Sequence, residues 1–505
     1  MSKLTKNVVY NLLGQGLLLA VGLIAIKYVF RELGADALGI IYFTQTMSTM
    51  LYAVLEMGLG STTIREVSSH FHEEPAYMRD FVRTGSLLFW LAYGLLALAV
   101  YAIAPLLVQK WIHLQNMDAS VATHVFRILG IASVSILPRS FYASILRGLQ
   151  RFGLTNLIDV AFSTLQQFGT IVILLGGGRL VHVAWWLAAC LALVVGGYLA
   201  ASSQLVSWRA LVPGFSLAVI RRNLAYASRM ASITLTSTVH TQADRAITSK
   251  LLPVSTFGYY AIAYGAVAKS QLLTGAVAQA AFPSLSALFK AGDWETLMSQ
   301  YRKVHDLICF ATVPLFAAVP FAAVPVFAFA LNTEAAHALL LPTSLLCLGF
   351  YMNGTLTAPY VVSLAIDKPG ITARSNIYAL FVVLPITFLL IYFLGIIGAG
   401  LSWVVYHLFA YAYAARRICF ECLQMPFWHW CWHILKILGL TAATYGAAWL
   451  IVHVVRASSL LGLATGYGVG TILFLLGAFW MIGESLRESV LHSWQVLRLK
   501  VAEAL

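Results

Sequence analysis

Charge is what this chain has least of. Only 10% of its 505 residues are Asp, Glu, Lys or Arg, whereas 60% are hydrophobic and the mean hydropathy is +0.83. Soluble domains carry about 25% charged residues, so the composition excludes a water-soluble enzyme or binding domain and indicates an integral membrane protein. Long polar connections are also missing; the longest run to about twenty residues, and no segment reads as a soluble domain. Alternating ten-residue patterns are absent, which argues against an outer-membrane barrel, and the long Leu/Ala/Val-rich runs indicate helices. The segment from Met1 to Asn7 has two lysines but no small-residue cleavage site behind a short apolar core. It reads as the start of an uncleaved first span.

Cysteines are few and scattered. Cys190, Cys309, Cys347, Cys419, Cys422 and Cys431 do not make a disulfide framework. Cys419 and Cys422, followed by His429, Cys431 and His433, have a metal-like spacing. They are interleaved with Trp428, Trp430 and Trp432, and an aromatic belt with incidental thiols explains them better. Gly176 to Gly178 follows no strand and is an outer turn rather than a phosphate loop. No nucleophile–base constellation stands out. The expectation is a chain that is not an enzyme and uses no metal or cofactor. The net charge of +13 does not imply nucleic acid, because the basic residues gather between apolar spans, where topology and anionic lipid headgroups explain them.

What is present is a series of about fourteen apolar spans, near 8–30, 39–63, 81–108, 121–145, 155–176, 181–205, 224–249, 256–285, 304–330, 336–363, 372–394, 397–418, 433–454 and 460–482. With the N-terminus inside, the loops at 64–80, 146–154, 206–223, 286–303, 364–371 and 415–432 and the C-terminal tail are cytoplasmic. That side carries about 22 Lys/Arg against about 7 outside, and Arg127, Arg139 and Lys269 fall within spans. Both termini are therefore expected in the cytoplasm of a multi-pass protein of a bacterial cytoplasmic membrane.

The chain also echoes itself. Leu33 to Tyr42, with Gly34 and Gly39, corresponds to Leu252 to Ala261, with Gly258, at an offset of 219 that also pairs Arg31 with Lys250. Leu149 to Gly153 corresponds to Ile366 to Gly370 at an offset of 217, which pairs Asp159 with Asn376 and Trp186 with Trp403. The expectation is an all-α polytopic membrane protein of two six-helix lobes related by a pseudo-two-fold axis, plus two extra C-terminal helices. The boundaries are 1–205 for the first lobe, 206–223 for a cytoplasmic linker, 224–420 for the second lobe and 421–505 for the two added spans and tail. Parallel repeats of this kind place a transport site between lobes that rock against each other.

Polar residues line several spans at helical spacing. Ser237, Thr241, Asp244, Arg245 and Thr248 share one face of span seven. Tyr42, Gln45, Thr49, Tyr52 and Glu56 form a stripe on span two, and Asn156, Asp159, Ser163, Gln166 and Thr170 repeat its spacing on span five. Span one has Asn7, Asn11 and Gln15, then Lys27 and Arg31. Span eight offers Tyr264, Lys269, Gln271 and Thr274, and span ten Asn353, Thr357 and Tyr360. Interhelical hydrogen bonds worth about 0.6–2 kcal/mol each could use single members of these stripes. Four or five on one face exceed what packing needs and indicate a hydrated cavity. Lys27, Arg31, Arg245, Lys250 and Lys269 would make it basic, which suits a phosphate or diphosphate, while hydroxyls, amides and aromatics suit sugars. Glu56, Asp159 and Asp244 are candidates for coupling to a proton or sodium ion, each with a salt bridge as the alternative. The expected cavity residues are Lys27, Arg31, Tyr42, Gln45, Glu56, Asp159, Asp244, Arg245, Lys269 and Asn353.

Asn11 to Gln15, Tyr28 to Gly34, Leu38-Gly39, Gly58 to Gly60 and Thr63 to Glu66 resemble the polysaccharide-transporter branch of the multidrug/oligosaccharidyl-lipid/polysaccharide (MOP) flippase superfamily. Gln242 to Asp244, Phe257 to Tyr260 and Leu149 to Gly153 resemble its second-lobe opening and an inter-span loop. The resemblance implies a flippase that moves undecaprenyl-diphosphate-linked oligosaccharide units to the outer leaflet for surface polysaccharide synthesis. It also implies membrane lipids, and a polymerase and glycosyltransferases, as partners. The family's basic cavity residues look like Lys27 and Lys269, with Arg31 near the mouth. The middle of span two has no matching basic residue; Glu56 stands there. A cation-coupled multidrug exporter of the same superfamily is the alternative.

Overall fold

The computed structural model describes residues 3–56, 58–457, 459–483 and 486–488. Side chains at 3–17, 53–56, 229, 232–234, 236, 237 and 240 lie outside that description. The chain is helical throughout, with one isolated bridge between His113 and Pro253 among the described residues. Ten helices are long and apolar enough to cross a membrane, or eleven if the segments Trp294–Ala317 and Val319–Ala330, bent by 43°, form one span. The three other predicted spans fall on the first, second and tenth helices.

Contacts divide the chain into two compact units, Met1–Ala261 and Ile262–Leu505. The first contains α1 (Lys3–Leu33), α2 (Ala35–Glu56), α3 (Leu59–His70), α4 (Pro75–Lys110), α5 (Ala119–Val134), α6 (Ile136–Gly148), α7 (Phe152–Leu175), α8 (Leu180–Leu205), the short α9 (Trp208–Leu211) and α10 (Leu217–Leu251). Predicted span two therefore breaks after α2. Gly58 at that break has φ 68°, and a Cβ there would lie 2.3 Å from Met230 Cβ on α10, so only glycine fits both the backbone and the contact.

α11 (Val254–Ala268) crosses the unit boundary. The second unit continues with α12 (Gln271–Ala291), α13 (Trp294–Ala311), α14 (Val313–Ala317), α15 (Val319–Ala330), α16 (Thr333–Ala365), α17 (Gly370–Leu394) and α18 (Ile396–Ala410). A π-turn at Tyr411–Ala415 leads to α19 (Arg416–Glu421). α20 (Phe427–Thr441) runs through a second π-turn, Ala442–Gly446, into α21 (Ala447–Val454), and α22 (Leu460–Met481) follows. Its core holds Tyr264, Phe350 and Trp403, the last two stacked at 4.3 Å.

The repeat read from the sequence has a counterpart in backbone hydrogen bonds. At the end of α6, Gln150 N–H donates to Arg147 O, Arg151 N–H to Leu146 O, and Gln150 has φ 57°. At the end of α16, Asp367 N–H donates to Leu364 O, Lys368 N–H to Ser363 O, and Asp367 has φ 58°. Each residue of the second cap is 217 places beyond its partner in the first, and both are Schellman-type helix ends. Helix boundaries follow the same shift. Ends at Leu33, Lys110, Gly148 and Leu205, advanced by 217 to 219, fall within one residue of the ends at Leu251, Ala330, Ala365 and Glu421.

Large apolar side chains along the spans point outward. Leu95, Leu98, Phe381, Phe393 and Trp480 are all more than half exposed. In water such a surface would aggregate, whereas in hydrocarbon it is the expected exterior.

Candidate functional site

In the first unit, α10 packs against α2, α3 and α4, and it is pinned near both of its ends. At the end predicted to face outward, Asp36 is buried and accepts the N–H groups of Gln115 (2.9 Å) and Asn116 (2.7 Å). Lys250 Nζ donates to Lys110 O, Trp111 Nε1 to Ser249 Oγ at 3.1 Å, and Val254 N–H to His113 O at 3.0 Å. These bonds draw the loops after α1, α4 and α10 together.

At the predicted cytoplasmic end, Glu66 is 2% exposed and accepts from the Arg65 guanidinium and, at 2.8 Å, from the Tyr77 hydroxyl. Asn223 on α10 donates to Tyr77 Oη at 2.9 Å and accepts from Arg65 Nη2 at 3.2 Å, so a side chain of α10 completes the network. Arg222 adds a two-pronged ion pair to Glu74, at 2.9 and 3.0 Å, with its guanidinium 4.0 Å from the Tyr77 ring centre. The hydrogen-bonding guanidinium holds the Glu74 carboxyl below the usual carboxylate range, and the pairing raises the Arg222 guanidinium in turn. Beside this network lies a mainly apolar cleft walled by Thr62, Phe81, Phe89, Phe141 and Ile220.

Also near the end predicted to face outward, α2 and the start of α11 meet at glycine. A Cβ on Gly258 would lie 2.9 Å from Gly39 Cα, and one on Gly39 would lie 2.0 Å from Val254 O. These two glycines are the repeat-equivalent pair at offset 219, and they touch. Next to them Asp244, 3% exposed on α10, accepts a 2.5 Å hydrogen bond from the buried Tyr260 hydroxyl.

The ten expected cavity residues are distributed over both units. Lys27 and Tyr42 are half-buried, and Gln45 is exposed. Arg31 is 70% exposed and pairs with its neighbour Glu32 at 3.0 Å. Asp159 is held by Arg139 Nη2 at 2.7 Å and Tyr198 Oη at 2.8 Å, which is the salt-bridge alternative. Arg245 donates to Thr241 O at 3.1 Å. In the second unit, Lys269 is exposed at the turn that separates α11 from α12, and Asn353 is half-buried on α16. The Glu56 side chain lies outside the described residues, as do those of Asn7, Asn11, Gln15 and Ser237. None of the nine with described side chains lines the cleft.

Much of each stripe also bonds to its own helix. The hydroxyls of Thr49, Thr170, Thr241, Thr248, Thr274 and Thr357 each donate to a carbonyl three or four residues back. Glu66, Tyr77 and Asn223, which tie α10 down at its predicted cytoplasmic end, were not among the expected site residues, although Glu66 closes the Thr63–Glu66 motif. Arg65-Glu66 beside a predicted inner loop was the available signal, but its partner Asn223 lies 157 positions further on (223 − 66) and carries no local mark.

Residues 29–334 match the family described as Polysaccharide biosynthesis protein. The chain belongs to that family. A relative from Shigella flexneri, named "Putative O-antigen transporter", is 21% identical over 406 residues, covering 79% of this chain and 94% of the relative. Solved structures share the fold. The lipid II flippase MurJ in an inward closed conformation aligns with a TM-score of 0.70 at 14% identity, over 93% of this chain and 97% of that one. An inward-facing multidrug resistance MATE family transporter of the MOP superfamily aligns with a TM-score of 0.63 at 13% identity, over 76% and 93%. This polysaccharide biosynthesis protein is thus a multi-pass membrane protein that shares its fold with MurJ and the MATE transporter. Its relatives are named as transporters and flippases rather than enzymes.

Proposed function

We propose that the chain is a flippase that moves undecaprenyl-diphosphate-linked oligosaccharide units across a bacterial cytoplasmic membrane by alternating access. The observation that carries this reading is the conjunction of a polysaccharide-biosynthesis family with the fold of a lipid-linked-sugar flippase. On this reading the lobes are 1–205 and 224–420, with fourteen spans and both termini in the cytoplasm. α10 then opens the second lobe by sequence while packing on α2, α3 and α4 in this conformation.

The cations support an anionic substrate. Lys269 is exposed within a membrane-spanning stretch, at a break in the helix. An ammonium at that depth is costly against lipid and inexpensive in a water-filled path, so it faces the substrate route, with Lys27 and Arg31 contributed by α1. Tyr42, Gln45 and Asn353 offer hydrogen bonds to sugar hydroxyls. Asp244, bonded by Tyr260, is the carboxylate best placed to take up a coupling ion, proton or sodium, because it is buried on a helix that must move. Asp159 is held by Arg139 and has the structural role.

A strain lacking the chain, with no redundant flippase, accumulates polyprenyl-diphosphate-linked sugar on the cytoplasmic face. Normal surface polysaccharide in that strain would contradict the proposal. The likeness to a MATE transporter favours a second reading, cation-coupled drug export. That reading requires raised drug susceptibility in the same strain with polysaccharide intact.

A further inference from the structure

The end of the second unit that holds the start of α20 carries a cluster that the transport reading does not use. His305 and Asp306 on α13, both more than nine-tenths buried, face His433 on α20, and their ligating atoms lie within 4.8 Å of one another. Asp306 Oδ1 is 2.9 Å from His433 Nε2, yet that buried nitrogen is in hydrogen-bonding geometry with no partner. Close approach without a shared hydrogen is how two ligands sit when both aim at a common cation. In a tetrahedral zinc site, metal distances of about 2.0–2.2 Å put neighbouring donors about 3.3 Å apart.

The surroundings orient the three side chains. Asp306 Oδ2 accepts the backbone N–H of Gly483 at 3.0 Å, which turns Oδ1 toward His433. His305 Nε2 accepts the indole N–H of Trp430 at 2.9 Å, so this nitrogen carries a lone pair and the ring's proton sits on Nδ1. Cys309, one turn further along α13, has its sulfur 3.7 Å from Nδ1 and 3.6 Å from Nε2, close to both ring nitrogens. A carboxylate oriented by a backbone N–H beside two closely set imidazoles is the kind of support that metal ligands need.

We propose that His305 Nε2, Asp306 Oδ1 and His433 Nε2 bind a divalent ion of the zinc class and clamp α20, the start of the two added spans, to α13. Two imidazoles and a carboxylate suit zinc, and three protein ligands leave a fourth position for water. The indole of Trp430 occupies the lone pair of His305 when no ion is bound, so binding displaces it. The site is separate from Cys419, Cys422 and Cys431, whose thiols it does not use.

The test uses the full chain, purified in detergent, stripped of metal and titrated with zinc and with cobalt. Expected are one bound zinc per chain and a change in tryptophan emission that Trp430→Phe abolishes. Cobalt should give visible bands without the intense near-ultraviolet band of a thiolate ligand. Asp306→Asn and His433→Asn each weaken zinc at least about tenfold, while Trp430→Phe, lacking the competing indole, binds at least as tightly as the parent. Should the ligand variants fail to fold, zinc stoichiometry and the cobalt spectrum of the unaltered chain decide the matter. Absence of stoichiometric zinc, a thiolate band, or loss of binding in a Cys419/Cys422/Cys431 triple serine variant would each overturn the proposal.

Discussion

Single residues set how closely the helices can approach. Gly39 and Gly258 touch backbone to backbone, and a methyl group on Gly39 would fall 2.0 Å from a carbonyl oxygen that cannot move aside cheaply. Gly39→Ala and Gly258→Ala should each destabilise the fold by about 1–3 kcal/mol, the usual cost of overpacking. Gly275→Ala, at a helical site with nothing within 4 Å, should leave it unchanged or slightly improved. Thermal unfolding of the purified proteins, followed by size exclusion, separates the two groups. The Asp159 contacts give a second comparison. Asp159→Ala strands Arg139 and leaves the buried Tyr198 hydroxyl only the more distant Thr155 carbonyl, whereas Tyr198→Phe deletes one donor and leaves the ion pair, so the first lowers stability more. The echo between Leu33–Tyr42 and Leu252–Ala261 was legible in the sequence because glycine and aromatic residues mark it. That the two glycines meet was not, because self-contact depends on how helices far apart in sequence pack.

Among elements, α10 is pinned at both ends, and the proposed alternating access requires one set of pins to open. At its predicted cytoplasmic end Arg222–Glu74 reinforces the Arg65–Glu66–Tyr77–Asn223 network. Because the Glu74 carboxyl is held below its ordinary range in the folded protein, its contribution is fully present above that range and is lost as pH falls through the lowered value. The difference in melting temperature between the parent and Glu74→Gln should therefore be flat from neutral pH down to the ordinary carboxylate range, vanish in stronger acid, and shrink with added salt because the pair is exposed. Asn223→Ala loosens the cytoplasmic end and Asp36→Ala the other. Labelling of single cysteines near Tyr77 and near Gln115 by a membrane-impermeant reagent should shift in opposite directions in the two variants. Eleven of the fourteen expected spans were readable from hydropathy as helices long and apolar enough to cross a membrane, the bent pair counted as one. The breaks at Gly58 and Lys269 and the two π-turns were not, since each interrupts a helix without interrupting its apolar run.

For the whole molecule, class, membrane habit and two-fold repetition followed from composition and offset. The candidate site was less legible. Most stripe residues lie on helices, but Lys269 sits at the turn between α11 and α12, and several of the threonines bond within their own helices. Sequence cannot distinguish a hydroxyl turned to its own carbonyl from one that lines a path. The basic residues are the stronger indicator, because no carbonyl can neutralise an ammonium at depth. Lys27→Ala combined with Lys269→Ala should abolish export while the protein still inserts and melts normally.

The central claim is tested most directly by reconstitution. The purified chain, placed in liposomes with a polyprenyl-diphosphate oligosaccharide confined to one leaflet, should make the sugar appear in the other, as read by an impermeant lectin, and the Lys27/Lys269 double variant should not. Sugar that stays in its original leaflet, while a lipophilic drug cation crosses under an imposed ion gradient, would contradict the account.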